Sequence, residues 1–169
     1  MDSLIARLTR YRVRLGFVAA IAALVLARPT VASVMWGAAV AGLGEALRIW
    51  AAGHLEKGRE VTVSGPYRLT RHPLYAGSSI MGLGFAIASA SAAAAVLVAM
   101  YLVLTIGAAV KSEESHLTEK FGSAYPEYRE GRTAAAPRRF SVARAWRNRE
   151  YRSLAGVLAA LALLLWKAL

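Results

Sequence analysis

The stretch from Leu74 to Val110 is apolar throughout and too long to be one ordinary membrane span of roughly 20 residues. Ser89-Ala90-Ser91 is the one plausible turn within it, so it reads as a helical hairpin with limbs at 74–90 and 92–110. Three further apolar runs, at about 12–27, 31–52 and 152–168, raise the expected number of spans to five. Between the first two, Ala27-Arg28-Pro29-Thr30 stops a helix. The residue before a proline is pushed out of the α region, Pro29 suits the first turn of the next helix, and Thr30 or Ser33 can cap it.

Composition agrees with a bilayer solvent. The chain has 169 residues, 57% hydrophobic and 18% charged, an unusual balance for a soluble domain. The expectation is one domain, residues 1–169, folded as an all-α polytopic membrane bundle of about five transmembrane helices. The polar segments at 53–73 and 111–151, expected to be cytoplasmic, would then carry the protein's function. The first apolar run lacks a small-residue cleavage pattern and reads as a retained helix rather than a signal peptide.

A net charge of +11 would point to nucleic acid in a soluble protein, but here the basic residues lie between apolar runs and not along one polar face. Eighteen of the 21 Lys and Arg residues fall in 1–14, 53–73 and 111–152. Positive loops stay inside, so these segments and the amino terminus are expected to be cytoplasmic and the carboxyl terminus outside. Membrane lipids are then the expected partners, and nucleic acid is not. The preference for arginine and alanine suggests the inner membrane of a prokaryotic cell. With no cysteine, disulfides, thiolate metal sites and cysteine nucleophiles are excluded. No paired-histidine spacing accompanies His54, His72 or His116, so no metal is expected.

Several residues are polar where polarity is costly. Glu45 and Arg48 lie three apart on one face of the second run, where an unpaired charge would cost about 3 kcal/mol. They are expected to pair or to face a polar cavity, and Arg48 can also snorkel to the inner interface. Gly37, Ala41 and Glu45, with Ala38 and Gly42 beside them, and Gly82-Leu83-Gly84 suggest close helix packing. Glu113-Glu114 follow the fourth run; taken alone, they could open a helix after Ser112 and favour its dipole. The segment from Ala136-Pro137-Arg138 through VARAWRNREYR places Phe140, Ala143 and Trp146 at three-residue steps among arginines, as an interfacial amphipathic helix would.

Taken in order, LRIWA at 47–51, SGPYRLTRHPLYAG at 64–77, a helical hairpin, and EESHLTEKFGSAYPEY at 113–128 resemble the isoprenylcysteine carboxyl methyltransferase and phospholipid methyltransferase superfamily. The resemblance covers roughly residues 45–130. It implies a bundle of membrane helices whose cytoplasmic mouth binds S-adenosylmethionine. By position, Tyr67, His72, Pro73, Leu74 and Tyr75 would line the cofactor site, with Glu113 and Glu114 closing it. Val61 and Thr62 match a further cofactor-touching strip by spacing alone.

Such a cofactor needs acceptors for its ammonium and ribose, a cation for its carboxylate and a slot for adenine. Glutamates, Arg71 or Arg68, and the rings of Tyr67 and Tyr75 supply these. His72 and Glu114 are the candidate catalytic residues, Glu114 as a base for an amine acceptor. Glu45, Arg48, Tyr125 and Tyr128 are the candidates for the lipophilic acceptor.

The branch within the superfamily is divided. Carboxyl methyltransferases usually carry an arginine four residues before the first glutamate, where this chain has Ala109 and only Lys111 nearby, whereas FGSAYPEY follows their pattern. A phospholipid amine is favoured as acceptor. A prenylcysteine carboxylate is the alternative, and a scaffold of the same fold without activity is a further one.

Overall fold

The computed structural model describes residues 2–133 and 138–169, and only the backbone of 2–10, 12 and 13. The expected start of the amphipathic segment at Ala136-Pro137 lies outside the described residues. Those described form helices α1 (Asp2–Leu26), α2 (Val31–His54), α3 (Pro73–Ser89), α4 (Ala92–Phe121), α5 (Ala124–Arg129), α6 (Val142–Arg147) and α7 (Tyr151–Ala168), with a 3-10 turn at Gly65–Arg68. There is no strand among them.

Local chemistry sets the boundaries. The Thr30 hydroxyl accepts from the Ser33 backbone, and the Ser33 hydroxyl accepts from the Thr30 backbone, a reciprocal capping box that starts α2. Pro29 therefore precedes the helix instead of occupying its first turn. At the hairpin, Ala90 adopts a left-handed φ of 45° and Ser91 caps α4, so the turn falls where Ser89-Ala90-Ser91 predicts it.

The bundle is built outward from α2. Helix α3 packs along it, α1 and α3 lie against α4, and α6 and α7 cover its carboxyl-terminal half. Small residues permit the α2–α3 approach: a methyl group at Gly44 would lie 2.6 Å from both Gly77 O and Met81 N, and Ala41 is wholly buried. Gly42, expected in this seam, instead faces open space.

Large apolar side chains point outward, Trp36 at 72% and Trp166 at 77% exposure, as a lipid-facing surface requires. Helices α4 and α7 are long and apolar enough to cross a membrane, and Arg14–Leu26 is a shorter apolar helix. Helix α3 has 17 residues, and the apolar surface of the continuous helix α2 is broken by Glu45 and Arg48.

Two expectations change. No helix opens at Ser112: α4 continues from its apolar part through Glu113-Glu114 to Phe121, so these glutamates project from a rigid extension of the hairpin. The amphipathic segment is only six helical residues, Val142–Arg147, ended by Asn148 and by Arg149 at a left-handed φ of 62°. Its orientation is fixed by charge: Arg144 Nε donates to Glu56 Oε1 at 2.8 Å, and Arg147 reaches the same carboxylate at 3.2 Å.

Candidate active site

Two elements converge at one end of the α3–α4 hairpin. The first is the stiff segment before α3. Gly65, at φ +57°, makes a turn closed to side-chain residues, since a methyl there would lie 2.6 Å from the His54 ring. Beyond it, Pro66 and Tyr67 are buried, and His54 is held by Ser64 Oγ at 3.1 Å as a satisfied interior histidine. His72 then stands as the residue before α3, with Pro73 in the helix's first turn.

The second element is the extension of α4. Gly122 ends it, and the chain doubles back into α5, returning Tyr125 and Tyr128 toward the same end. His72 Nε2 donates to Glu114 Oε1 at 3.0 Å, and Tyr125 Oη donates to the same oxygen at 3.2 Å. Arg71 lies 3.6 Å from it. Tyr128 Oη donates to the Tyr67 carbonyl at 2.6 Å, joining α5 to the 3-10 turn. A carboxylate only accepts, so the His72 proton facing Glu114 is on Nε2.

The electrostatics follow from these contacts. The His72 hydrogen bond, aided by Tyr125 and by the charges of His72 and Arg71, outweighs burial and holds the Glu114 carboxyl below its ordinary range. Burial, then the Glu114 charge, pushes the Tyr125 phenol up to about 12, so it stays a donor. Burial, followed by the Glu113 carboxylate, raises Tyr67 further still. Glu113 is thus close enough to act on Tyr67, although it is exposed and one helical position away from Glu114.

The remaining candidates fall around this centre. The Tyr75 ring lies 5.9 Å from that of His72. Thr62 is buried and accepts from the Glu56 N–H at 3.2 Å, so its hydroxyl fixes the loop, while Val61 is half-buried beside it. A cavity of about 320 Å³ opens between the 3-10 turn and α5, lined by Tyr67, Arg68, Thr70, Arg71, Tyr128 and Arg129. Its size suits a small ligand and its arginines suit an anionic group. His72, Glu113 and Glu114 border the Tyr67–Arg71 side without lining it. Among the described residues no acidic or histidine cluster could hold a metal.

Glu45 and Arg48 are brought together less directly than their spacing suggests. They are 3.9 Å apart, whereas Arg48 NH2 lies 2.6 Å from Glu150 Oε1 and NH1 donates to Ser78 Oγ at 2.6 Å and to the Leu74 carbonyl at 3.4 Å. Glu45 Oε2 accepts from Ser153 Oγ at 2.8 Å. Arg48 therefore does not snorkel; it is tied inward to α3 and α7. Glu150, Ser153 and Ser78 were not candidates from sequence. The available signal was Glu150, the one acidic residue between Gly131 and Leu169.

Among the described residues, helices with outward apolar side chains and a histidine–carboxylate–tyrosine cluster at the end of an apolar hairpin define a helical membrane protein with a polar site. The family model for phospholipid methyltransferases matches residues 15–124, and the chain belongs to that family. The match contains the second half of α1, all of α2 to α4 and both convergent motifs; Tyr125, Tyr128 and Glu150 lie beyond it. No curated protein and no solved structure matches the chain.

Proposed function

We propose that this protein is an integral-membrane methyltransferase that uses S-adenosylmethionine at its cytoplasmic face and methylates a phospholipid amine. The five-span arrangement with an internal amino terminus belongs to this proposal. The observation that carries it is the 3.0 Å bond between His72 and Glu114, which unites the two motifs of a methyltransferase family at one point.

The residues present fit such a cofactor. Arg68, Arg71 and Arg129 around the cavity suit a carboxylate; Glu113 and Glu114 suit an ammonium or ribose hydroxyls; Tyr67 and Tyr75 offer ring faces. The bound cofactor supplies an activated methyl group on a sulfonium. The protein's part is to hold acceptor and methyl carbon in line and to exclude water. His72, Tyr125 and Arg71 share Glu114 Oε1 and fix the carboxylate rigidly. An amine acceptor arrives protonated and must lose a proton before attack, for which Glu113 and Glu114 are the nearest carboxylates to the motif.

The alternative acceptor, a prenylcysteine carboxylate, is favoured by one observation: Tyr125 and Tyr128 of FGSAYPEY both engage the site. Against it, Ala109 is buried and Lys111 is exposed on another face of α4. Purified protein in lipid nanodiscs, given labelled cofactor with lipid amines and prenylcysteine analogues in turn, decides between them by the methylated product. Absence of cofactor binding by calorimetry overturns the proposal altogether.

A further inference from the structure

A second polar cluster lies at the junction of α2, α3 and α7. Glu45 comes from α2 and Glu150 from the residue preceding α7, and Arg48 is the cation paired to both. Two carboxyl groups thus face one guanidinium. Both carboxylates are nearly sealed, Glu45 at 3% and Glu150 at 6% exposure.

The hydrogen bonding is also incomplete. Glu45 Oε1 and Arg48 Nε are buried with no hydrogen-bond partner, and Glu150 Oε1 touches Arg48 NH2 at an angle that makes an ion pair without a directed hydrogen bond. A buried carboxylate oxygen in hydrocarbon-flanked surroundings is costly when unpartnered. Simple bracing of three helices explains Arg48, which is tied to Ser78 and Leu74, and explains Glu45 Oε2, which is tied to Ser153. It leaves Glu45 Oε1 unexplained.

We propose that this cluster is the recognition site for the cationic amine of the acceptor, with Glu45 Oε1 and Glu150 as its carboxylate partners. The inference rests on the methyltransferase reading and assigns the residues that hold the acceptor amine. Position supports it. The charges of Glu113, of Glu150 and of Arg48 all act on Tyr67, so the cluster and the cofactor-side motif are neighbours of the same side chain. Arg48, with one fifth of its side chain exposed, gives the cluster an open side. An amine can donate to the unpartnered Glu45 Oε1 and a carboxylate acceptor cannot, so the same geometry selects an amine.

The test is direct binding, independent of turnover. Nanodisc-embedded full chain is titrated calorimetrically with dihexanoyl phosphatidylethanolamine and, separately, with dihexanoyl phosphatidylethanol, which lacks the amine. Wild type is expected to prefer the amine at least tenfold, and Glu45→Gln to lose most of that preference while binding S-adenosylmethionine as before. Glu150→Gln serves as a second variant should Glu45→Gln not fold. Equal wild-type affinity for the two lipids overturns the inference, as does a preference unchanged in a folded variant. Loss of cofactor binding in wild type would instead overturn the methyltransferase reading, leaving the amine preference to be scored by itself.

Discussion

His72 Nε2 and Glu114 Oε1 meet at 3.0 Å although 42 positions separate the residues in the chain. The intervening hairpin makes this possible: α3 runs away from His72, the Ala90 turn reverses the chain, and α4 returns past the end of its apolar run at Val110 to carry Glu114 back. Removing either partner leaves the other without its charge-assisted bond. His72→Ala and Glu114→Ala should each weaken S-adenosylmethionine binding by roughly 10- to 100-fold, the equivalent of about 1.5–3 kcal/mol for a hydrogen bond to a charged group. Calorimetry on the purified variants checks this, and affinity unchanged in both would refute the site.

The pH dependence of stability should carry the mark of Glu114. Its carboxyl is depressed from 4.5 by His72, and that of Glu56 is depressed by Arg144. A depressed folded value means the stabilisation is complete above the ordinary carboxylate range and disappears as pH falls through the folded value. The melting temperature should therefore drop below pH 4.5, and Glu114→Gln should show a smaller drop than wild type while the Glu56 share remains. A Glu114→Gln profile parallel to wild type would contradict the assignment.

Tyr125 tests the donor role separately. With its phenol pushed up to about 12, it remains protonated and donating through the whole working range. Tyr125→Phe should lower cofactor affinity several-fold, with a cost of about 1 kcal/mol, and leave the helical signal in circular dichroism intact. In wild type its ultraviolet tyrosinate transition should come later than that of an exposed tyrosine.

The α2–α3 seam predicts a stability effect unrelated to chemistry. Gly44→Ala would place a methyl 2.6 Å from Gly77 O and Met81 N, so the helices must separate. The expected loss is about 1–3 kcal/mol, seen as a lower melting temperature in detergent, whereas Gly42→Ala, which faces open space, should be neutral or slightly stabilising.

The segment beyond α5 is anchored by ions. Arg144 donates to Glu56 and to the Gly53 carbonyl, and Arg138 pairs with Glu60 at 2.6 Å. Arg144→Ala should speed tryptic cleavage after Arg138 and Arg139 several-fold under native conditions. Cleavage at the wild-type rate would mean that the clamp contributes little to holding this segment.

What the sequence determined by itself follows from period, punctuation and motif order. Apolar length and the Ser89-Ala90-Ser91 break specify the hairpin, Thr30 and Ser33 specify the start of α2, and GPYR, RHPLY and EE in order identify the family. These are local properties, carried by backbone preference or by adjacent residues. The tertiary structure decided the partners. That α4 runs unbroken through Glu113-Glu114, that Tyr125 and Tyr128 fold back onto Glu114 and Tyr67, and that Arg48 turns from Glu45 to Glu150 depend on elements distant in sequence. A charge buried beside hydrocarbon must find a counterpart wherever packing brings one, and the spacing of residues along a single helix does not reveal which helix will supply it.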